Sequence, residues 1–213
     1  MSYSKEVDRE ASLSYFSKVV LCSQSPRRKT LLDFIELTTQ SRETDERGIE
    51  DRYMALYKGD PFVYRVGKTA THLAHAKIPD IRQPSTLYIA ADTMVVHQEQ
   101  IYNKPKDEAD AYHMLRSYFG ETHAVVTGVC LAQELAYETF YTVTEVTFIP
   151  YFDRLEPLIN NYIAEGKPMD MSGGYGLQEV PPVFIEKVEG DPNNVYGLPV
   201  GEVGKRVLSL KLD

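Results

Sequence analysis

The side chains best suited to chemistry in this sequence include two adjacent arginines at the start of a predicted helix. Arg27 and Arg28 follow Ser25 and Pro26, and serine before proline is typical of a helix N-terminus. The helix dipole disfavours cations at this end by about 0.3–1 kcal/mol. An anion docked there would resolve the conflict. The pattern therefore predicts an anion site, and a solvated arginine pair is the alternative.

A carboxylate inside an apolar run is the second candidate. Asp92 interrupts residues 86–97, whose composition otherwise predicts a buried strand. Burying an unpartnered carboxylate costs several kcal/mol. Asp92 therefore faces a cleft, where it acts as a base or a metal ligand, or it meets water at a bulge or strand end.

Further polar groups lie between these two positions. Glu43, Asp45 and Glu46 form a carboxylate cluster behind the anion site. Such a cluster suits a divalent cation, and a solvated charge run is the alternative. The cysteines, Cys22 and Cys130, lie in apolar runs without metal-ligand spacing, which predicts buried thiols.

The elements that must position these groups alternate irregularly along the chain, which favours an α/β fold with a mixed sheet. Residues 1–17 are polar and predict a flexible or loosely docked extension. Residues 38–48 predict a loop or short edge strand, and a Gly-Asp-Pro break within residues 53–66 argues against one continuous helix there. We further predict strands at 19–22, 86–97, 122–133, 140–149 (half exposed) and 183–188, and helices from 26, at 66–78, at 107–119, at 153–165 with an Asp153–Glu156 capping box, and at 198–210.

Composition limits the function. The 213 residues are 43% hydrophobic, enough for a full core, and the net charge of −8 argues against DNA or RNA as a partner. No apolar run approaches the length of a membrane span, and the first fifteen residues lack a signal-peptide core. Together with the buried thiols, these features predict a cytoplasmic protein without a membrane partner, and targeting to an organelle is the alternative.

Five stretches, in this order, resemble the motifs of the Maf family of nucleotide pyrophosphatases. The resemblance extends over nearly the whole chain from Val19 to Leu210. The stretches are Ser23-Gln24-Ser25-Pro26-Arg27-Arg28, Ala91-Asp92-Thr93, Lys104-Pro105, Ser172-Gly173-Gly174-Tyr175-Gly176-Leu177-Gln178 and Val195-Tyr196-Gly197-Leu198-Pro199.

The resemblance implies an elongated mixed sheet flanked by helices, with two lobes around a nucleotide-binding cleft. It divides the chain into the polar extension, residues 1–17, and a single Maf-like domain, residues 18–213. The family's functional positions fall on nine residues of this chain. Those implied to be catalytic are Asp92, Glu46, Lys77 and Lys104, with Glu46 and Asp92 also holding Mg²⁺ or Mn²⁺; those implied to bind substrate are Ser23, Arg27, Arg28, Thr93 and Gln178.

Three of these positions distinguish branches of the family. In the branch that acts on 7-methyl-GTP they look like Trp, Gln and Glu, whereas this chain has Arg27, Thr93 and Gln178. The chain therefore resembles the branch that hydrolyses dTTP and UTP to the monophosphate and pyrophosphate, with modified pyrimidine nucleotides as further candidates. A non-catalytic regulator of cell division and a pyrophosphatase of different base preference, such as 7-methyl-GTP, are the alternatives. The family also implies a homodimer, and residues 53–66 are interpreted as an insertion that forms a lid or a subunit contact.

Overall fold

A mixed sheet of eight strands is the framework of the protein, in a computed structural model that describes residues 3–208. The main path through the sheet runs β1-β7-β6-β4-β2-β3, with β5 paired to β4 and β8 paired to β7. The strands are β1 (Tyr3–Glu10), β2 (Lys18–Cys22), β3 (Thr38–Gln40), β4 (Thr86–His97), β5 (Gln100–Tyr102), β6 (Thr122–Ala132), β7 (Tyr137–Phe148) and β8 (Ile185–Glu189).

The helices flank this sheet on both faces. They are α1 (Pro26–Leu31), α2 (Glu46–Leu56), α3 (Phe62–Ala76), α4 (Glu108–Tyr118), α5 (Glu156–Ala164), α6 (Pro192–Tyr196) and α7 (Val200–Leu208). No helix among residues 3–208 is both long enough and apolar enough to span a bilayer.

Two apolar cores divide one face of the sheet into two lobes. In the first, Leu32 after α1 and Val203 of α7 pack on Leu87 of β4. In the second, Leu115 of α4 and Ile159 of α5 pack with strand residues such as Val95 and Phe148. Helix α3 covers the opposite face, where Val66 and Ala70 pack on Met94 and Val126. The predicted α/β class, with a mixed sheet and two lobes, is confirmed.

A gap along one edge of β4 places the cleft. β2 runs parallel to β4 and pairs with it only as far as Ile89. β5 takes over the same edge only from Val95. The other edge of β4 is paired with β6 throughout this stretch. Asp92 and Thr93 therefore lie where β2 has ended and β5 has not begun, so both can reach a ligand.

The prediction of a flexible or loosely docked N-terminus is wrong for Tyr3–Glu10. This segment forms β1 and pairs antiparallel with β7, from Tyr3 opposite Val143 to Glu10 opposite Tyr137. Main-chain hydrogen bonds hold an edge strand irrespective of side-chain polarity, so its charged composition concealed it.

Two other local predictions are also wrong. β7 is buried over most of its length rather than half exposed, because β1 and β8 cover its edge and helices cover its faces. The Asp153–Glu156 capping box does not form: a 3₁₀ turn precedes α5, and no side chain caps the helix. Glu156 instead accepts a hydrogen bond from the Tyr151 hydroxyl at 3.0 Å.

Candidate active site

One cleft of about 710 Å³ is lined by all nine residues that the sequence predicts for the site. It opens at the gap along β4 and lies between the two lobes. The predicted residues lining it are Ser23, Arg27, Arg28, Glu46, Lys77, Asp92, Thr93, Lys104 and Gln178.

Lys77 joins the two carboxylates predicted to be catalytic. Its ammonium nitrogen lies 2.6 Å from Asp92 Oδ1 and 2.9 Å from Glu46 Oε1. Lys77 caps the C-terminus of α3, where a cation is favoured, and α2 begins at Glu46. The Lys77 and Asp92 side chains are each only 15% exposed. The buried carboxylate in β4 thus has the charged partner that its burial requires.

Arg28 is held by the protein on three sides. Its Nε donates to the carbonyl of Gly197 at 2.7 Å, and its terminal nitrogens donate to Ser23 Oγ at 3.3 Å and to Thr93 Oγ1 at 3.0 Å. The turn after α6 is shaped for this contact, since Gly197 has a φ of +112° that favours glycine. A fixed guanidinium is therefore presented to the cleft with its remaining N–H groups free to bind an anion.

Arg27 of α1 and Gln178 of the glycine-rich loop, residues 172–179, both line the cleft. Arg27 lies 3.6 Å from Glu179 Oε1, in an ion pair between α1 and the glycine-rich loop. Gln178 is exposed in that loop. A Cβ at Gly176 would lie 3.3 Å from Gln178 Oε1 and 2.7 Å from Met171 Sδ. Glycine at this position therefore leaves room for both the Met171 side chain and the Gln178 amide.

Two further groups complete the electrostatics. Glu50 lies one turn beyond Glu46 on α2; burial raises its pKa, a hydrogen bond with Asn103 opposes this, and Asp92 raises it further. Burial also raises the pKa of the Cys22 thiol, which lines the cleft, to about 11. This thiol remains protonated at neutral pH and is a poor nucleophile.

The donor set fits a magnesium-like ion that binds together with a polyphosphate. Within residues 3–208, no group of three or more His, Cys, Asp or Glu side chains could hold a metal ion. Mg²⁺, however, is often bound through one or two carboxylates plus substrate phosphates and water. Glu46 and Asp92 supply two carboxylates facing the same cleft. Two carboxylates would be enough for an ion that the nucleotide also coordinates.

Comparison with known proteins identifies the family. The family model described as Maf-like protein matches residues 18–209. The chain belongs to the Maf family. This confirms the resemblance found in the sequence motifs, and the family match extends over both lobes and the cleft between them.

Several Maf relatives carry the name dTTP/UTP pyrophosphatase. The protein of that name from Salinibacter ruber is 38% identical, over 85% of both chains. Those from Cytophaga hutchinsonii and Bacillus pumilus are 36% and 35% identical, over 87% of this chain and 80% and 93% of their own lengths. The prediction of a branch named for dTTP and UTP is consistent with these relatives.

Sequence reasoning missed the residues that hold the site together. Glu179, Thr127 and Asn194 each contact a site residue or hold a segment that does. None belongs to a pattern that predicts chemistry. Thr127, for example, is a threonine in a strand, which is common for its β-propensity alone. The Asn194 side chain is 0% exposed, and this burial, which only the structure shows, marks it as important.

Proposed function

We propose that this protein hydrolyses dTTP and UTP to the nucleoside monophosphate and pyrophosphate. The observation that carries the proposal is the Lys77–Asp92–Glu46 ion cluster, in one cleft with the Arg27–Arg28 pair. Cations that bind a polyphosphate and a carboxylate that can orient water are what this reaction needs. The names of the Maf relatives support the same activity.

In the proposed reaction Asp92 orients a water molecule for attack on the α-phosphorus. Lys77 holds Asp92 and Glu46 in place, so the carboxylate does not have to reorient when the nucleotide binds. Arg27, Arg28 and Lys104 neutralise charge that develops on the departing pyrophosphate. Mg²⁺ or Mn²⁺, held by Glu46 and Asp92, would neutralise further phosphate charge when it is bound.

Base recognition is assigned to Gln178 together with Thr93 and Arg27. The imide edge of uracil or thymine presents one N–H donor between two carbonyl acceptors, and the Gln178 amide both donates and accepts. Modified pyrimidines that keep this edge are substrates of the same class.

The proposed partner is a small nucleotide, with no DNA or RNA polymer and no membrane. Cys22 and Cys130 are buried free thiols, which supports a reducing compartment such as the cytoplasm. A homodimer is proposed from the family alone, and residues 53–66, which end α2 and begin α3, are a candidate for its contact or for a lid.

A nucleotide panel tests the proposal directly. Purified protein with Mg²⁺ is expected to release pyrophosphate from dTTP and UTP faster than from GTP and 7-methyl-GTP. Preferred cleavage of 7-methyl-GTP would contradict the base assignment. Release from none of the nucleotides would contradict the activity itself, and would favour the non-catalytic regulator.

A further inference from the structure

A chain of hydroxyl groups runs from the cleft into the buried sheet. Arg28 donates to Thr93 Oγ1 at 3.0 Å, and Thr93 Oγ1 lies 3.0 Å from Thr127 Oγ1. Thr127, opposite Thr93 in the β4–β6 ladder, is 0% exposed. Its hydroxyl donates to the main-chain carbonyl of Asn194 at 3.0 Å.

Both ends of this chain fix the direction of every proton in it. A carbonyl can only accept and a guanidinium can only donate. Thr127 must therefore use its single proton on the Asn194 carbonyl, so at the contact between the hydroxyls Thr93 is the donor. Thr93 has then used its own proton. Of its two lone pairs one accepts from Arg28, so it offers the cleft an acceptor and no donor.

The Asn194 end of this series of hydroxyl groups is held by the sheet. The Asn194 side-chain nitrogen donates to the Val125 carbonyl at 2.9 Å and to Thr144 Oγ1 at 3.1 Å. These bonds hold α6 and the carbonyl that receives the Thr127 proton. The polarity of Thr93 is therefore set by buried groups that do not contact the nucleotide.

We propose that Thr127 is a specificity-determining residue, because it makes Thr93 an obligate acceptor that selects pyrimidines with an N3–H over cytosine. Uracil and thymine present N3–H as a donor, whereas N3 of cytosine is an acceptor. The Gln178 amide can turn to suit either base, so the fixed acceptor of Thr93 is what discriminates between them. The inference rests on the proposed function and adds the discrimination between UTP and CTP. Thr127 acts through Thr93 and is a positioning residue.

The test compares the ratio of kcat/KM for UTP to that for CTP in three variants. Thr127→Val removes the hydroxyl, so Thr93 can turn its own proton into the cleft and donate it to N3 of cytosine. The ratio is therefore expected to fall about 5- to 150-fold, the range for relieving a contact between two acceptors. Thr127→Ser keeps the hydroxyl and is expected to keep the wild-type ratio. Thr142→Val is the matched control: Thr142 faces Thr127 in the β6–β7 ladder, and its hydroxyl makes no hydrogen bond within residues 3–208.

The inference is overturned if Thr127→Val keeps the wild-type UTP-to-CTP ratio, including the case of an equal loss with both nucleotides. UTP cleavage by the wild type would still support the proposed function in that case. If the wild type cleaves neither nucleotide, the ratio of their dissociation constants by calorimetry applies the same criterion to wild type and variant. Thr127→Ala, which lacks both hydroxyl and added bulk, replaces the valine variant if that variant does not fold.

Discussion

Asp92→Asn separates the chemical role of the carboxylate from its structural role. The substitution keeps the size of the side chain and removes its charge. Lys77 retains Glu46 at 2.9 Å, and the new amide oxygen can still accept from the ammonium at the 2.6 Å position. Because the cation is not left unpaired, we expect the free energy of unfolding to fall by only about 1–2 kcal/mol, less than the ~3–5 kcal/mol typical of breaking a buried pair.

Turnover is expected to fall far more than stability. An amide cannot take a proton from the attacking water, so kcat should drop about 10²- to 10⁴-fold. At 1.36 kcal/mol for each factor of ten, this raises the barrier by about 2.7–5.4 kcal/mol. Since the arginines that bind the phosphates are unchanged, the dissociation constant for UTP, measured without the divalent ion that Asp92 is proposed to hold, should remain within a few-fold of the wild-type value.

The assay is steady-state pyrophosphate release from UTP, with calorimetry for binding and urea titration for stability. Asp60→Asn is the matched control: Asp60 pairs with Lys68 at 2.8 Å outside the cleft, so its replacement should leave kcat unchanged. A folded Asp92→Asn protein that retains kcat within tenfold of the wild type would refute the assignment of Asp92 as the group that orients water.

Three other predictions address the metal, the base and the pH dependence. Excess chelator should abolish pyrophosphate release and added Mg²⁺ or Mn²⁺ should restore it; full activity in chelator would contradict the carboxylate–metal scheme. Gln178→Glu loses its N–H donors, so kcat/KM for dTTP and UTP should fall about 5- to 150-fold, with a smaller loss for GTP; an equal loss for both classes would argue against base recognition. Burial lowers the pKa of His123 to about 3 from 6.5, so its stabilising contribution is complete above about pH 6.5 and is lost as pH falls toward 3. Between pH 6.5 and 5 the free energy of unfolding should fall by about 2 kcal/mol through this group. Urea unfolding at pH 7 and pH 5 should therefore show a smaller difference in His123→Gln than in the wild type. An equal difference in the two proteins would contradict this role of His123.

The sequence predicts the site better than it predicts the interactions that support it. Asp92 is recognisable because a carboxylate in an apolar run needs a partner or water. Its partner is not recognisable as such, since Lys77 reaches it only through the packing of α3 on the sheet. The orientation of Arg28 and the proton order from Thr93 to Asn194 likewise depend on tertiary contacts between distant strands.

Most of the fold is predictable because local residue patterns determine the main strands and helices. The apolar run at 86–97 predicts β4, and the helical spacing at 66–78 predicts α3, which begins earlier, at Phe62. β1 is not predictable, because main-chain pairing with β7 holds it and only Tyr3 and Val7 pack on the apolar core. The half-exposed pattern assigned to β7 failed because its polar residues, such as Thr142 and Thr144, are buried in the sheet.

Pairing of the N-terminal strand with β7 sets an order of events during synthesis. Lys5 pairs with Tyr141, so more than a hundred residues must leave the ribosome after β1 before its partner exists. Non-local pairing of this kind is slow, and an unpaired strand is prone to aggregate while it waits. The charges of β1, among them Lys5, Glu6 and Asp8, keep it soluble through that interval. The polar composition that concealed this strand in the sequence thus protects the nascent chain until its last partner has been made.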